Sequence, residues 1–538
     1  MTKKIILIAV LWIVATLAQQ QLFAQKGIYP VQTNITPTSF TLNWLDNAQI
    51  KGAFWYKDNT PPTWINSTTD DNKRYALQLG NLAPATVYWV QMATITGKDT
   101  LLSTAIPYST QSLSTGEIKV FFNHSIDNQF VGSKLPSGTS GTECLNEIIN
   151  RINNAQQTID VALYNNNRTD ITTALKNAKT RGVQVRYIAA AATLNSALTP
   201  APAFPVVFGN TDNLMHNKFM IVDANLVNDT WVMAGSMNWT TSNINSDYNN
   251  MLMIQDQALA KAYEMEFNEM WGSTVEMPNA ANQKFGNTKT NNTPHQFVIG
   301  GIPVECWFSP SDQVTDQIVA TLNTANSTVD FGLLTFTKNE PSNVLVSKFT
   351  NSNVAVRGLI ENINDSGSEF AYLQSKGISV AAHTWPNQMH HKYAVIDPML
   401  PNSDPTVWTG SHNWTFTAEN FNDENSLVIH DSDIARLYLA EFEARITENP
   451  VATTAPQQVG FRLQPNPTED QFMVVSDQFD LSKDTKIQVW SSSGALLLEQ
   501  LFNPGQAIST SNLPDGSYIV KIKSRNGFAA LPLQKISR

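Results

Sequence analysis

Two stretches of the chain, HNKFMIVD at residues 216–223 and HHKYAVID at residues 390–397, share one pattern. Each has a histidine, a lysine two residues later and an aspartate five residues after the lysine. The apolar residues between lysine and aspartate predict a buried strand. Residues two apart on a strand project to the same face, so each histidine should lie beside its lysine. The second stretch follows the first at a constant offset of 174 residues, which indicates an internal duplication.

A second pattern follows each copy, GSMN at residues 235–238 and GSHN at residues 410–413. The glycine is expected to let the backbone approach a ligand, while serine and asparagine supply uncharged hydrogen-bonding groups. The predicted substrate-binding residues are Ser236, Asn238, Ser411 and Asn413.

The residues around these patterns predict helices that alternate with apolar strands. In the first copy a helix through residues 145–149 leads to a strand at 158–163, and in the second residues 318–320 lead to a strand at 328–333. This order argues for an α/β fold, an α-β-α sandwich built from two similar halves.

Two halves that face each other across a pseudo-twofold would bring together two imidazoles, two ammonium groups and two amides. This set suits a phosphodiester, because cations and amides hold the non-bridging oxygens while one imidazole attacks and the other protonates the leaving oxygen. No metal or other cofactor is expected, since the lysines supply the positive charge. The histidine and carboxylate spacings also match no common metal-ligand motif.

These motifs closely resemble the phospholipase D superfamily, whose signature is a paired HxKx4D motif with a following GSxN. The resemblance covers about residues 116–448. It implies that His216 and His390 act as nucleophile and general acid/base through a covalent phosphohistidine, with the nucleophile assigned to His216. It also implies that Lys218, Lys392 and the two asparagines bind the phosphate, assisted by the two serines.

The remaining motif residues are given supporting roles by the same resemblance. Asp223 and Asp397 belong to the signature and are expected to brace the strand ends. The superfamily often carries a carboxylate after GSxN that orients an imidazole, and Glu424 supplies it in the second copy. The first copy reads SDYN at residues 246–249, with an apparent one-residue shift, so either Asp247 takes this role or the copy lacks it.

Two further histidines stand beside the motifs. His391 is expected to be structural, because it points to the opposite face of its strand from His390. His412 lies inside the GSHN turn, and the sequence leaves open whether its side chain lines the cleft.

Composition limits the class of protein. The 538 residues carry a net charge of −10, which argues against a generally basic protein that coats nucleic acid. Only 2 cysteines are present, which excludes a disulfide scaffold and a multi-cysteine zinc site. Cys144 and Cys306 occupy corresponding early portions of the two halves and could pair in an exported protein.

Both ends of the chain resemble known export or surface modules. Lys3 and Lys4 precede an apolar run and a small-residue cleavage point, which predicts a secretory signal peptide. Alternating strands that include Trp44 and Tyr88 resemble a fibronectin type III module. Motifs such as PNP at residues 465–467 and LPDGSYIV at 513–520 resemble the C-terminal sorting domain of the type IX secretion system.

The predicted organisation is a signal peptide at 1–24, a fibronectin type III-like β-sandwich at 27–113, repeat 1 at 116–285, a linker at 286–302, repeat 2 at 303–448, a linker at 449–460 and the sorting domain, a second all-β sandwich, at 461–538.

Three functions remain open at this point. The first is a secreted hydrolase that cleaves a phospholipid head group, the second a metal-independent endonuclease on the same scaffold, and the third a surface adhesin with a silent catalytic domain. The acidic charge favours the first mildly, because binding a polyanion favours a broad basic surface. The expected partners are a phospholipid or other phosphodiester, with nucleic acid as the alternative, and the type IX machinery. We expect export through the periplasm to the medium or the cell surface, and no dimer is needed to complete the site.

Overall fold

The computed structural model describes residues 30–45, 50–57, 60–69, 74–96, 99–352, 354–448, 461–476, 486–491, 496–502, 506–524 and 527–536. The chain divides into two compact units, residues 1–449 and 450–538. The expected signal peptide at 1–24 and linker at 449–460 lie outside the described residues.

The first unit begins with two antiparallel sheets. Their strands are β1 (Val31–Thr36), β2 (Ser39–Leu45), β3 (Ile50–Tyr56), β4 (Thr63–Asn66), β5 (Thr68–Thr69), β6 (Arg74–Gly80), β7 (Val87–Thr96), β8 (Asp99–Leu102) and β9 (Ile106–Ser109). One sheet has the order β1-β2-β6-β5, and the other has the order β4-β3-β7-β8 with β9 on β7. Trp44 and Tyr88 are buried between them, and the Tyr88 hydroxyl accepts a hydrogen bond from Ala83 N at 2.8 Å. This arrangement is consistent with the expected fibronectin type III-like module.

The first α/β half follows directly. Its elements are β10 (Ile118–Phe122), α1 (Gly141–Asn154), β11 (Thr158–Leu163), α2 (Thr169–Thr180), β12 (Gln184–Ala190), β13 (Val206–Gly209), β14 (Lys218–Val222), β15 (Trp231–Gly235), α3 (Thr241–Asn245), β16 (Asn250–Ile254) and α4 (Gln257–Trp271). The sheet order is β10-β16-β15-β14-β11-β12-β13. Strands β11, β12 and β13 are parallel, and β14 pairs antiparallel with β11.

The second half repeats this plan with one extra edge strand. Its elements are β17 (Gln296–Ile299), β18 (Ile302–Ser309), α5 (Val314–Asn323), β19 (Thr328–Leu333), α6 (Asn339–Asn351), β20 (Ala355–Ile360), α7 (Phe370–Ser375), β21 (Ser379–Ala382), β22 (Lys392–Ile396), β23 (Thr406–Gly410), α8 (Phe416–Asn420), β24 (Glu424–His430) and α9 (Ser432–Glu448). The sheet order is β17-β18-β24-β23-β22-β19-β20-β21. The expected duplicated α/β fold is confirmed.

Helices α4 and α9 lie between the two sheets. On α4, the Tyr263 ring contacts Phe219 of the first sheet and Phe308 of the second, both at 5.1 Å between centroids. On α9, the Tyr438 ring lies 5.2 Å from Phe122 and 5.3 Å from Tyr393. Aromatic side chains of each helix therefore pack against both halves and hold them together.

The expected linker at 286–302 is wrong. Residues Gln296–Ile299 form β17, which pairs antiparallel with β18 at the edge of the second sheet. The side chain of Lys289, in the same segment, is fully buried. A charged residue can be buried in such a segment where charged partners compensate for its lost hydration.

The second unit is a β-sandwich with its own core. Its strands are β25 (Phe461–Gln464), β26 (Gln471–Ser476), β27 (Lys486–Ser491), β28 (Leu496–Leu501), β29 (Ile508–Ser509), β30 (Gly516–Ser524) and β31 (Gly527–Lys535). They form sheets of order β25-β26-β29 and β28-β27-β30-β31, with Phe472, Val489 and Val520 among the residues buried between them.

Candidate active site

Two short backbone bridges join the halves beside the motif histidines. His216 N donates to Asp423 O and His390 N donates to Tyr248 O, both at 2.9 Å. Return bonds run from Asp423 N and Tyr248 N to the carbonyl two residues before each histidine, at 2.9 and 2.8 Å. The same contact made in both directions is what a pseudo-twofold between the halves requires, and it brings both histidines to the interface.

Each imidazole is oriented by a residue of the opposite copy. His216 Nδ1 lies 2.8 Å from Glu424 Oε2, and His390 Nδ1 lies 2.9 Å from Asn249 Oδ1. A partner on Nδ1 fixes that nitrogen as the protonated one and leaves the Nε2 lone pair free. The first half therefore uses a carboxylate from the second, while the second half uses a neutral amide from the first.

The suggested role of Asp247 is wrong. Its carboxylate accepts a hydrogen bond from Asn243 Nδ2 at 2.8 Å, and His390 is held by Asn249 instead. The offset from Asn249 to Glu424 is 175 residues, the same as between the GSxN asparagines, so the copies are in register and no one-residue shift exists. An amide simply stands where the second copy has a carboxylate.

The GSxN serines hold the orienting residues. Ser411 Oγ donates to Glu424 Oε2 at 2.6 Å, and Ser236 Oγ donates to Asn249 Oδ1 at 2.9 Å. The Asn249 amide nitrogen donates to two backbone carbonyls, which fixes its oxygen toward His390. The expectation that the serines assist phosphate binding directly is therefore replaced, because their hydroxyl hydrogens are engaged within the protein.

Both motif lysines are fully buried beside their histidines. Lys218 Nζ donates to His216 O at 2.7 Å, and Lys392 Nζ donates to His390 O at 2.6 Å. Burial lowers the pKa of Lys218 to about 7. Burial and the charge of Lys218 lower the pKa of Lys392 well below its usual value. Because the lysine of one copy acts on the lysine of the other, the two ammonium groups share one desolvated region, where an anion would be stabilised.

The two imidazoles are neutral near pH 7. Burial, the largest cause, and the two lysines lower the pKa of His216 to about 4, while Glu424 acts in the opposite direction. Burial, both lysines and His216 lower the pKa of His390 well below its usual value. A neutral imidazole with a free Nε2 is the form that attacks an electrophile. An anionic ligand would oppose the lysines and raise both histidine pKa values.

The GSxN asparagines are anchored to different degrees. Asn238 N and Nδ2 both donate to Asn243 Oδ1, at 3.0 and 2.9 Å. Within the described part of the chain, Asn238 Oδ1 and Asn413 Oδ1 are buried without a hydrogen-bond partner. These amides keep polar capacity that a ligand could use.

The motif aspartates support the backbone. The Asp223 carboxylate accepts hydrogen bonds from the backbone N–H groups of residues 156–158 at 2.7–2.9 Å. The Asp397 carboxylate accepts from those of residues 326–328 at 2.7–2.8 Å and from Ser403 Oγ. Each aspartate follows the strand that begins with the motif lysine, so both brace the far strand end.

The two neighbouring histidines are both buried. His391 Nε2 lies 2.8 Å from Glu441 Oε1, and its Nδ1 lies 3.1 Å from the Asn250 amide, which is a structural arrangement. His412 has its Nε2 3.7 Å from Glu419 Oε2, on α8.

Tyr164 is a site residue that the sequence analysis missed. Its half-buried ring meets His216 edge-on at 4.9 Å, and Lys218 Nζ lies 5.1 Å from the ring centroid. The available signal was its place directly after β11, whose last residue, Leu163, pairs with Lys218. The corresponding residue after β19 is Leu334, so the two halves line the site differently.

The expected role of the GSxN glycines, to let the backbone approach a ligand, is corrected. A Cβ on Gly235 would lie 2.5 Å from Asn250 O, and one on Gly410 would lie 2.2 Å from Asn425 O. These glycines accommodate the neighbouring strand rather than a ligand.

The two cysteines are free and buried in separate halves, so the suggested pairing does not form.

Two kinds of feature are absent from the described part of the chain. No group of three or more His, Cys, Asp or Glu side chains there could hold a metal ion. None of the helices described is long and apolar enough to cross a membrane.

Comparison with known proteins identifies the family. Residues 148–271 and 318–446 match the family "Cardiolipin synthase, PLD-like domain". The mitochondrial cardiolipin hydrolase of Xenopus laevis is 30% identical over 150 residues, which cover 28% of this chain and 68% of that protein. The chain belongs to the phospholipase D superfamily. The expectation of a phospholipase D-type hydrolase of phosphodiester bonds is confirmed at this level.

Other matches vary in coverage. The human mitochondrial cardiolipin hydrolase is 41% identical over 91 residues, so the chain spans only 33% of that relative, and the match covers 16% of this chain. Phosphatidylserine synthase of Haemophilus influenzae is a solved structure with 15% identity and a TM-score of 0.45, covering 64% of this chain and 91% of that one.

The C-terminal unit has its own match. Residues 462–532 match the family "Secretion system C-terminal sorting domain". This confirms the expected sorting domain and indicates export by type IX secretion, to the medium or the cell surface.

Proposed function

We propose that the protein is a secreted, metal-independent phospholipase D-like enzyme that hydrolyses the head-group phosphodiester of a phospholipid. The observation that carries the proposal is the cross-copy orientation of the imidazoles, His216 by Glu424 and His390 by Asn249. Neither half holds a complete site, and together they supply two oriented imidazoles and two buried lysines.

In the first step His216 Nε2 attacks phosphorus, and the bond from phosphorus to the head-group oxygen breaks. His390, protonated in the substrate complex, gives its proton to that oxygen. The substrate phosphate supports this protonation, because its negative charge opposes the two lysines that lower the pKa of His390. The lysines stabilise the charge that builds on the non-bridging oxygens.

In the second step His390 takes a proton from water, and the resulting hydroxide attacks the phosphohistidine. The P–N bond breaks, which releases phosphatidic acid and restores His216. The unequal partners support this division of roles. Glu424 stabilises positive charge on His216 during bond formation, whereas the neutral Asn249 does little to stabilise a protonated His390, which therefore releases its proton readily.

Exposed apolar side chains that follow β12 or lie close in sequence to the motif residues support a lipid substrate. Leu194 is 79% exposed after β12, Trp385 is 43% exposed five residues before His390, and Phe416 is 60% exposed three residues after Asn413. Exposed apolar groups fit acyl chains or the surface of a bilayer better than a charged nucleic-acid backbone. The relatives named cardiolipin hydrolase support the same substrate class.

The proposal is tested by offering the purified protein phosphatidylcholine vesicles, cardiolipin vesicles and single-stranded DNA, each with EDTA. We expect release of the head group from a phospholipid, and loss of that activity in His216→Ala and His390→Ala. His430→Ala is the matched control, because His430 ends β24 beside Asp404, away from the motif residues.

Each alternative has its own outcome. Cleavage of DNA alone would identify a nuclease. Silence on all three substrates, with retained binding to cells, would identify an adhesin. Loss of activity in EDTA that a divalent metal restores would contradict the metal-independent mechanism. For export, we propose removal of residues 1–24 and passage through the periplasm.

A further inference from the structure

Lys289 is a buried cation in the segment that connects the two halves. Its side chain is fully buried, and its ammonium group contacts Glu266 of α4 and lies 3.4 Å from Asp423 Oδ1. Glu266 belongs to the first half and Asp423 to the second, so a single side chain links carboxylates of both. Such a buried charge persists only where its partners compensate the loss of hydration.

Asp423 is the residue that carries the bridge to His216. Its carboxylate also accepts hydrogen bonds from Gly286 N at 2.7 Å and from Asn210 Nδ2 at 2.8 Å. Its backbone carbonyl accepts from His216 N, and the next residue along the chain is Glu424. The position of the Asp423 carboxylate therefore sets two contacts of His216, the backbone bridge and the Nδ1 partner.

The corresponding backbone bridge beside His390 has different side-chain contacts. Tyr248 occupies the position of Asp423 there, and its ring packs 4.3 Å from the Arg445 guanidinium. Its hydroxyl donates to Glu448 Oε2 at 3.2 Å. The contacts of Lys289 thus serve the His216 side of the interface, which is the side with the charged orienting residue.

We propose that Lys289 is a positioning residue, which fixes Asp423 so that Glu424 meets His216 Nδ1. This inference rests on the proposed function, in which His216 is the nucleophile. Without the cation, the Asp423 carboxylate loses the charge that compensates for its burial, and the backbone that carries Glu424 is free to move. A small displacement of a reacting group is enough to slow an enzymatic step on the order of 100-fold.

The test compares Lys289→Met, the double variant Glu266→Gln/Lys289→Met and the control Lys284→Met. Lys284 lies in the same segment and pairs with Glu269 at 2.9 Å, but its side chain is 43% exposed. The double variant removes the cation together with one of its two carboxylates, so it remains informative where the single variant fails to fold. Three experiments are made: thermal unfolding, steady-state kinetics for kcat and KM on phospholipid vesicles, and determination of the protonated nitrogen of His216.

The last determination uses the ¹⁵N shifts of histidine-labelled protein, in which only 8 histidines contribute signals. The His216 signals are assigned by their loss in His216→Gln. We expect the double variant to unfold close to the wild-type temperature, yet to show kcat lower by about tenfold or more with KM little changed. We also expect its His216 to lose the uniform Nδ1–H form, while Lys284→Met matches the wild type in all three.

A folded double variant with wild-type kcat and an intact Nδ1–H form of His216 would overturn the inference. A loss of folding stability alone, with kcat per folded molecule unchanged, would also overturn it. If the wild type cleaves no phosphodiester, the proposed function fails, and the nitrogen shifts still decide whether Lys289 positions His216.

Discussion

Glu424→Gln isolates the charge of the residue that orients His216. Glu424 Oε2 accepts from His216 Nδ1 and Ser411 Oγ, while Oε1 faces Asn422 Nδ2 at 3.2 Å. A glutamine oxygen at the Oε2 position keeps the first two bonds, and its amide nitrogen then opposes another donor at Asn422. The Nδ1–H form of His216 should therefore survive, while the ionic part of the interaction is lost.

The expected loss of kcat/KM in Glu424→Gln follows from these contacts. A hydrogen bond to a charged group contributes about 1.5–3 kcal/mol and a neutral one about 0.5–1.5 kcal/mol, a difference of roughly 1–1.5 kcal/mol. At about 1.4 kcal/mol per factor of ten, kcat/KM should fall about 5- to 10-fold.

The direction in which Glu424→Gln shifts the pH profile follows from the charges around His216. Glu424 raises the pKa of His216, which burial and the lysines hold at about 4. Attack needs the neutral imidazole, so kcat/KM declines as pH falls through this value. Removing the carboxylate lowers the pKa of His216 further, and the acidic limb should move to lower pH.

The assay is kcat/KM on phospholipid vesicles as a function of pH, with Glu419→Gln as control. Glu419 is a carboxylate of α8 that accepts from Thr315. An unchanged kcat/KM in Glu424→Gln, or an acidic limb displaced to higher pH, would refute the assigned role of the charge.

Three further outcomes are expected. Asn249→Ala should lower kcat about 2- to 10-fold through the lost hydrogen bond to His390, whereas Asp247→Asn should match the wild type; equal losses in both would contradict the corrected register. Asp397→Asn should lower the free energy of unfolding, measured by denaturant titration, by about 2–4 kcal/mol, because three backbone N–H groups lose a charged acceptor. The kcat per folded molecule should be preserved. A large loss of kcat at unchanged stability would place Asp397 in catalysis. Deletion of residues 461–538 should leave the protein in the periplasm, and its normal appearance in the medium or on the cell surface, judged by fractionation and immunoblotting, would contradict the sorting role.

The sequence was enough to predict the architecture and the main polar residues. The paired motifs recur in register, and hydrophobic alternation located the strands that carry Lys218 and Lys392. These are local signals, and the predicted duplication is confirmed by the two sheets and by the matches at residues 148–271 and 318–446.

Contacts between the halves could not be predicted in the same way. Asn249 was not predicted because a carboxylate was expected to orient the second imidazole, and its contact with His390 lies across the interface between the halves. Lys289 looked like a linker residue because its partners, Glu266 and Asp423, are 23 and 134 residues away along the chain. Tyr164 was missed for the same reason, since its relation to His216 depends on the packing of β11 against β14.

The most direct test of the account is to trap the covalent intermediate. With bis(p-nitrophenyl) phosphate the leaving group departs without protonation, so His390→Asn should still form the phosphohistidine but lack the base that activates water. We expect one equivalent of p-nitrophenolate per enzyme, followed by a stall, and a phosphorylated peptide at His216 by mass spectrometry. His216→Asn should give no release. Two results would contradict the account that histidines of both halves act on one phosphorus atom. One is steady turnover by His390→Asn like that of the wild type, and the other is an adduct at any residue other than His216.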